Sequence, residues 1–269
     1  MSERAAGSPK FPLRLDRLHR APVAAPQSPP RVPRPRQEAL RSGAHAAPPT
    51  GLGLDSQGVR ERLVERLRKE GLSDPRVLAA LRAVPRHLFV DSALANQAYE
   101  DTSLPIGLGQ TISKPSVVAR MVELMLAPHA AGSRLKLLEI GSGCGYQAAV
   151  LAQLSRQVVS VERLKPLHDK ARHNLANLRL DNLRLVYGDG RIGHAPNAPY
   201  DGIIAAAGGD DIPAAWIEQL ALGGRLVAPL RDGANGAQVL ISIDRLADGS
   251  VRHMRHEAVR FVPLEFGVD

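Results

Sequence analysis

Cysteine is almost missing from this chain. The one thiol, Cys144, excludes an intramolecular disulfide and suits a reducing compartment. Aromatic residues are scarce at 3%, so a core has to be aliphatic, and 44% hydrophobic residues over 269 positions supply enough material for one. No run of about 18 apolar residues occurs, so no membrane-spanning helix is expected. The N-terminus has no apolar h-region of the secretory kind. The nine histidines show no metal-ligand spacing, and no metal is expected.

Acidic charge is also in deficit, but unevenly. Of the net +8, residues 1–50 hold nine Lys/Arg against three Asp/Glu, a net of +6, which leaves +2 for the remaining 219. Ten of the 21 prolines fall in residues 1–54. The expectation is a disordered Pro/Arg/Ala-rich basic tail over 1–54 and one folded domain over 55–269. Nucleic-acid contact is not expected of the folded part; only the tail has the charge for it. A cytoplasmic monomer is expected.

What is present centres on Leu137 to Ala152, LLEIGSGCGYQAAVLA. The apolar run reads as a strand buried on both faces, then a glycine turn, then a helix. A strand, glycine-rich turn and helix form a ligand cradle at the carboxyl edge of a parallel sheet, and the helix is expected to aim free N–H groups at it. The spacing is G-x-G-x-G, with Tyr146 where a dinucleotide motif places its third glycine, and no G-K-[ST] follows. Glu139 stands two places before the first glycine, where a carboxylate suits an ammonium or sulfonium better than a pyrophosphate. Glu162 ends the next expected strand, 21 residues after Gly141, where an acid can accept both hydroxyls of a ribose. A cationic group and an intact ribose together fit S-adenosylmethionine.

Around this motif, helices are expected from about Asp55 to Gly71 and from Asp74-Pro75 to Pro85, flanking the main sheet. Gly107 and Gly109 mark a turn, and a helix follows with Ser113 as N-cap and Pro115 in its first turn. Strands at 158–162, 183–187 and 200–207 alternate with helices at 164–178 and 212–220. A turn at Gly223-Gly224 leads to a strand at 225–230, then to an antiparallel hairpin of 238–245 and 251–262. The fold class is α/β: a doubly wound, mostly parallel, Rossmann-like sheet with N-terminal flanking helices and a C-terminal antiparallel hairpin. Asp189, between glycines at a strand end, can take an adenine amino group or serve as an ordinary turn aspartate.

No nucleophile–base pair is evident. Cys144 reads as a packing residue, and neither Ser113 nor Ser142 has a base in view. Methyl transfer to a carboxylate needs none, because a carboxyl group of pKa about 4 is already ionised at neutral pH. The protein has only to align the groups and exclude water. A hydroxyl such as that of Ser113 would orient one carboxylate oxygen.

Several stretches together resemble the bacterial protein-L-isoaspartate O-methyltransferase family, a branch of the class I S-adenosylmethionine-dependent methyltransferases. They are VPRHLFV (Val84 to Val90), LPIGLGQTIS (Leu104 to Ser113), the glycine motif, VER (Val161 to Arg163) and GDG (Gly188 to Gly190). APYDGII (Ala198 to Ile204), GGRLV (Gly223 to Val227) and RFVPL (Arg260 to Leu264) complete the resemblance, which spans about residues 57–267. The resemblance implies methylation of the free carboxylate of L-isoaspartyl, and also D-aspartyl, residues in aged proteins, the ester closing spontaneously to a succinimide. It implies Ser113 as the active-site residue, with Thr111 and Ile112 beside the donor. Glu139, Gly141, Ser142, Gly143, Glu162, Asp189 and Gly190 would surround the donor, and Val262 and Pro263 would lie near the substrate backbone. Three features depart from the family pattern: Cys144 stands where serine is common, which should matter little, Ala207-Gly208-Gly209-Asp210 replaces a more proline-rich loop, and the tail to about residue 54 has no counterpart. The competing readings are a same-fold methyltransferase for a small molecule or RNA, and a non-catalytic donor-binding module with a nucleic-acid-binding tail.

Overall fold

The computed structural model describes residues 57–233 and 236–269; the tail expected over residues 1–54 lies outside them. In chain order the elements are α1 (Gln57–Lys69), α2 (Pro75–Ala83), β1 (Leu104–Gly107), β2 (Gln110–Ile112), α3 (Pro115–Leu126), β3 (Lys136–Ile140) and α4 (Tyr146–Ala152). There follow β4 (Gln157–Glu162), α5 (Lys165–Leu175), β5 (Leu183–Tyr187), β6 (Tyr200–Ala205), α6 (Ala214–Gln219), β7 (Leu220–Asp232), β8 (Ala237–Arg245) and β9 (Val251–Val259). Seven strands form one sheet in the order β5-β4-β3-β6-β7-β8-β9. The first four neighbour pairs are parallel, and β7-β8 and β8-β9 are antiparallel. β3 is central, and the order reverses beside it, which opens a crevice at its carboxyl end.

β3 forms here because both faces are covered. Leu137 and Leu138 are fully buried on opposite faces, Leu137 in a core with α3 and α4 and Leu138 in a core with Trp216. Each such side chain contributes roughly 1.5–3 kcal/mol. Gly202 of β6 lets α3 lie close, since a Cβ there would stand 2.8 Å from the Met125 sulfur. α2 starts as its sequence indicates: Asp74 accepts the Arg76 N–H at 2.8 Å, and Val77, Leu78 and Leu81 face inward.

Three expectations change. Gly107, Leu108 and Gly109, all at positive φ, turn the chain between β1 and β2, a two-stranded hairpin that the sequence showed only as a turn. Gly223-Gly224 is not a turn before a strand but lies inside the 13-residue β7. There two steps along β6, Tyr200 to Gly202, face five along β7, Leu220 to Arg225, and the excess bulges out. β9 stops at Val259, short of the expected Val262, because the chain leaves the edge of the sheet to turn towards the crevice.

Candidate active site

A cavity of about 860 Å³, its solvent-open mouth included, lies at the carboxyl ends of β3, β4 and β6. Thr111, Ile112, Ser113, Gly141, Ser142, Gly143, Glu162, Gly190, Val262 and Pro263 all line it. Glu139 and Asp189 do not.

The glycine loop is held from below. Gly141 and Ser142 donate their N–H groups to Val161 O at 2.8 and 3.3 Å, Gly145 donates to Ser142 O at 2.8 Å, and Gly143 donates to Glu162 Oε2 at 2.9 Å. The loop's own N–H donors are therefore largely committed within the protein. An anionic pyrophosphate would need those donors, so the cradle suits a ligand that is cationic on this side. Gly141 is at φ +88, where a side chain is strained, and a Cβ at Gly190 would come within 2.5 Å of Ile140. The backbone thus approaches the cavity on two sides.

Glu162 closes this wall. Oε1 accepts the Leu164 N–H at 3.0 Å and Oε2 the Gly143 N–H at 2.9 Å, which fixes the carboxylate at the cavity edge. A carboxylate has about four acceptor positions, so lone pairs remain for a ribose diol. Glu139 is different. It is fully buried beneath the loop, its Oε2 shares a hydrogen bond with the Ser160 hydroxyl, and burial pushes its pKa up to about 8. Its side chain enters the core from the penultimate position of β3, so the carboxylate contact with a cationic ligand expected from the sequence is not made by Glu139. Asp189 is also taken up elsewhere: Oδ1 accepts the Arg191 N–H at 2.8 Å and Oδ2 the Gly267 N–H at 2.9 Å, the turn-aspartate alternative.

The opposite wall is assembled from distant segments. Ser113 is not the N-cap of α3. Asp101 does that work, accepting the Ser116 N–H at 2.8 Å and the Ser116 hydroxyl at 2.7 Å. The Ser113 hydroxyl is thereby left free on the cavity wall, with no hydrogen bond among the described residues. Arg86, buried and stacked 4.8 Å over the Tyr146 ring, steadies the approach to Asp101 by donating to Ala98 O at 2.8 Å. Burial lowers its pKa. Val262 to Leu264 pairs with Gly208: Gly208 donates to Val262 O and Leu264 to Gly208 O, both at 2.9 Å. A Cβ at Gly208 would meet the Gln238 amide at 2.6 Å and Pro229 at 3.2 Å, so this position is tightly packed against β7 and β8. Glu265 also lines the cavity and is tied to Arg163 at 2.7 Å. Gln147, Arg163 and Leu264 are wall residues to which the sequence assigned no role; all three lie inside motifs quoted above, but nothing local marks them. Cys144 is buried, and burial pushes its thiol up to about 11, which fits packing and not attack.

Residues 58–268 match the family described as Protein-L-isoaspartate(D-aspartate) O-methyltransferase. The chain belongs to that family. A protein-L-isoaspartate O-methyltransferase of Methylibium petroleiphilum is 68% identical over 275 aligned residues, covering 100% of both chains. One from Leptothrix cholodnii is 63% identical, covering 89% of this chain and 84% of its own. The first of these corrects the expectation that residues 1–54 have no counterpart, since its match includes them. A solved protein-L-isoaspartate O-methyltransferase superposes with TM-score 0.69 at 30% identity, covering 77% of this chain and 67% of the other. A Plasmodium falciparum protein solved with S-adenosyl-L-homocysteine has TM-score 0.66 at 24% identity, covering 77% and 98%, and shares the fold.

Proposed function

We propose that this chain is an enzyme that transfers a methyl group from S-adenosylmethionine to the free carboxylate of L-isoaspartyl residues in damaged proteins and peptides. The finer reading includes D-aspartyl residues. The observation that carries it is the Ser113 hydroxyl, relieved of capping by Asp101, facing the same cavity as the glycine loop and Glu162. Bound S-adenosylmethionine supplies an electrophilic methyl on a sulfonium.

The chain's own groups do the rest. Glu162 holds the ribose, and Gly141 to Gly143 admit the donor against backbone. Thr111 and Ile112 border the transfer point. Ser113 donates a hydrogen bond to one substrate carboxylate oxygen and aims the other. No general base is required, because the acceptor is already ionised. Val262 and Pro263 meet the substrate backbone, and the apolar walls at Ile106, Ile112 and Leu264 keep water out, which favours a reaction that neutralises charge. The neighbouring backbone amide nitrogen of the substrate then attacks the ester carbonyl and methanol leaves, so the methyl ester closes to a succinimide without further help.

The same reading confines catalysis to residues 55–269 and leaves 1–54 as a dispensable basic extension. It assigns the work to a monomer in the cytoplasm: one chain supplies both walls, and its single cysteine is buried and unpaired. No helix among the described residues is long and apolar enough to cross a membrane.

The test uses labelled S-adenosylmethionine and two peptides that differ only in one aspartyl versus isoaspartyl linkage. Base-labile ester on the isoaspartyl peptide alone is expected, and a chain lacking residues 1–54 should match it. Donor binding without ester on either peptide would overturn the acceptor assignment.

A further inference from the structure

The buried acid beneath the glycine loop has no part in the chemistry above, yet it is wired to the cavity. Glu139 is 0% exposed, and its Oε1 has no hydrogen-bond partner. Oε2 is bonded to the Ser160 hydroxyl, which in turn lies 2.5 Å from the Ser142 hydroxyl. Ser142 is on the cavity wall. Gln147 also lines the cavity from α4; its Nε2 is likewise buried without a hydrogen-bond partner, and its amide lowers the Glu139 pKa against the effect of burial. The carboxyl is thus sealed one layer behind the wall and joined to it by two hydroxyls.

We propose that Glu139 senses the charge of the methyl donor: it is neutral beneath the empty cradle, gives up its proton through Ser160 and Ser142 when the cationic donor binds, and so favours donor over demethylated product. This rests on the reading of the cavity as a donor site. With Glu139 protonated, Oε2–H donates to Ser160, Ser160 donates to Ser142, and Ser142 points its own O–H into the cavity. With Glu139 ionised every hydroxyl turns round, and Ser142 offers the cavity only lone pairs. The second state suits a ligand bearing a sulfonium and an ammonium. S-adenosylmethionine carries net charge +1, whereas S-adenosylhomocysteine is a zwitterion of net charge zero, so only the first pulls the proton off strongly.

The groups facing Glu139 leave it dependent on a ligand for countercharge. From β4 come the Ser160 hydroxyl and the Glu162 carboxylate, which raises its pKa further; from α4 comes the Gln147 amide, which lowers it. The glycine loop contributes Ser142, and β6 presents Ile204 opposite it. No cationic side chain acts on it. Burial holds the free protein's Glu139 pKa near 8, so it is protonated at neutral pH.

Calorimetry in buffers of different ionisation enthalpy tests this. At about pH 7, close to one proton should be released per S-adenosylmethionine bound, and under roughly a third of a proton per S-adenosylhomocysteine. S-adenosylmethionine affinity should rise roughly 25- to 50-fold from about pH 6 to 8 beyond the change seen with Glu139→Gln, which removes the titrating group. The donor's own amine titrates in both proteins and cancels. Should Glu139→Gln not fold, infrared difference spectra of the wild-type protein serve instead: a protonated-carboxyl C=O band should vanish on adding S-adenosylmethionine and persist with S-adenosylhomocysteine. Binding of S-adenosylmethionine with no proton released, or equal release with both ligands, would overturn the sensor and leave the donor site standing. No binding of either ligand would overturn both.

Discussion

The two walls of the cavity are built in different ways. The donor wall comes from residues close in sequence: a strand, its glycine turn, and Glu162 at the end of the neighbouring strand, tied together by backbone hydrogen bonds. The acceptor wall comes from segments far apart: Ser113, freed by Asp101 twelve residues earlier, and Val262 to Leu264, seated on Gly208 more than fifty residues back. A wall built locally is fixed by its own turn chemistry. One built from distant segments depends on packing that brings them together, and single contacts carry more of its geometry.

The largest expected effect lies under the donor wall. Glu139 holds a proton up to about pH 8 in the folded chain but ionises near 4.5 when unfolded, so the folded state binds more protons and stability falls as pH rises through that window. The loss is up to about 5 kcal/mol. Chemical denaturation of Glu139→Gln from pH 5 to 8 should show a shallower decline than wild type; parallel curves would mean that Glu139 does not titrate there.

On the acceptor wall, Ser113→Ala should lower kcat by about 100-fold, the scale of one lost orienting hydrogen bond at a reacting centre, with donor affinity changed less than about twofold. Equal losses in both would make Ser113 structural. On the donor wall, Glu162→Ala should weaken S-adenosylhomocysteine binding by about 2 kcal/mol, roughly 30-fold, as ribose contacts and the loop tether go together. Unchanged affinity would remove Glu162 from the donor site. The smallest effect belongs to Asp101→Ala. The lost cap costs about 1 kcal/mol of stability, and kcat should fall by about fivefold with donor affinity intact. Asp101→Asn, which can still cap, should restore most of it.

The same difference explains what could be read from the sequence. The parallel half of the sheet was legible because its strands are short apolar runs between turn residues, and even the half-exposed edge strand Leu183 to Tyr187 was placed residue for residue. The glycine loop and Glu162 were legible for the same local reason. Glu139 and Glu162 looked alike as acids near strand ends, yet one place decides their fate: Glu139 precedes the last strand residue and enters the core, while Glu162 is the last and sits at the rim. Ser113 read as a cap because caps are recognised by position; that Asp101 supplies the cap is a tertiary fact. The pairing of Asp189 with Gly267 spans 78 residues and leaves no local mark.

The two walls are expected to act independently on donor and acceptor. A double-mutant cycle of Ser113→Ala and Glu162→Ala, read as kcat/KM for an isoaspartyl peptide, tests it most directly. The two residues share no partner, so the losses should add to within about 0.5 kcal/mol. A coupling of about 1.5 kcal/mol or more would mean that the cavity works as one unit and that the division drawn here is wrong.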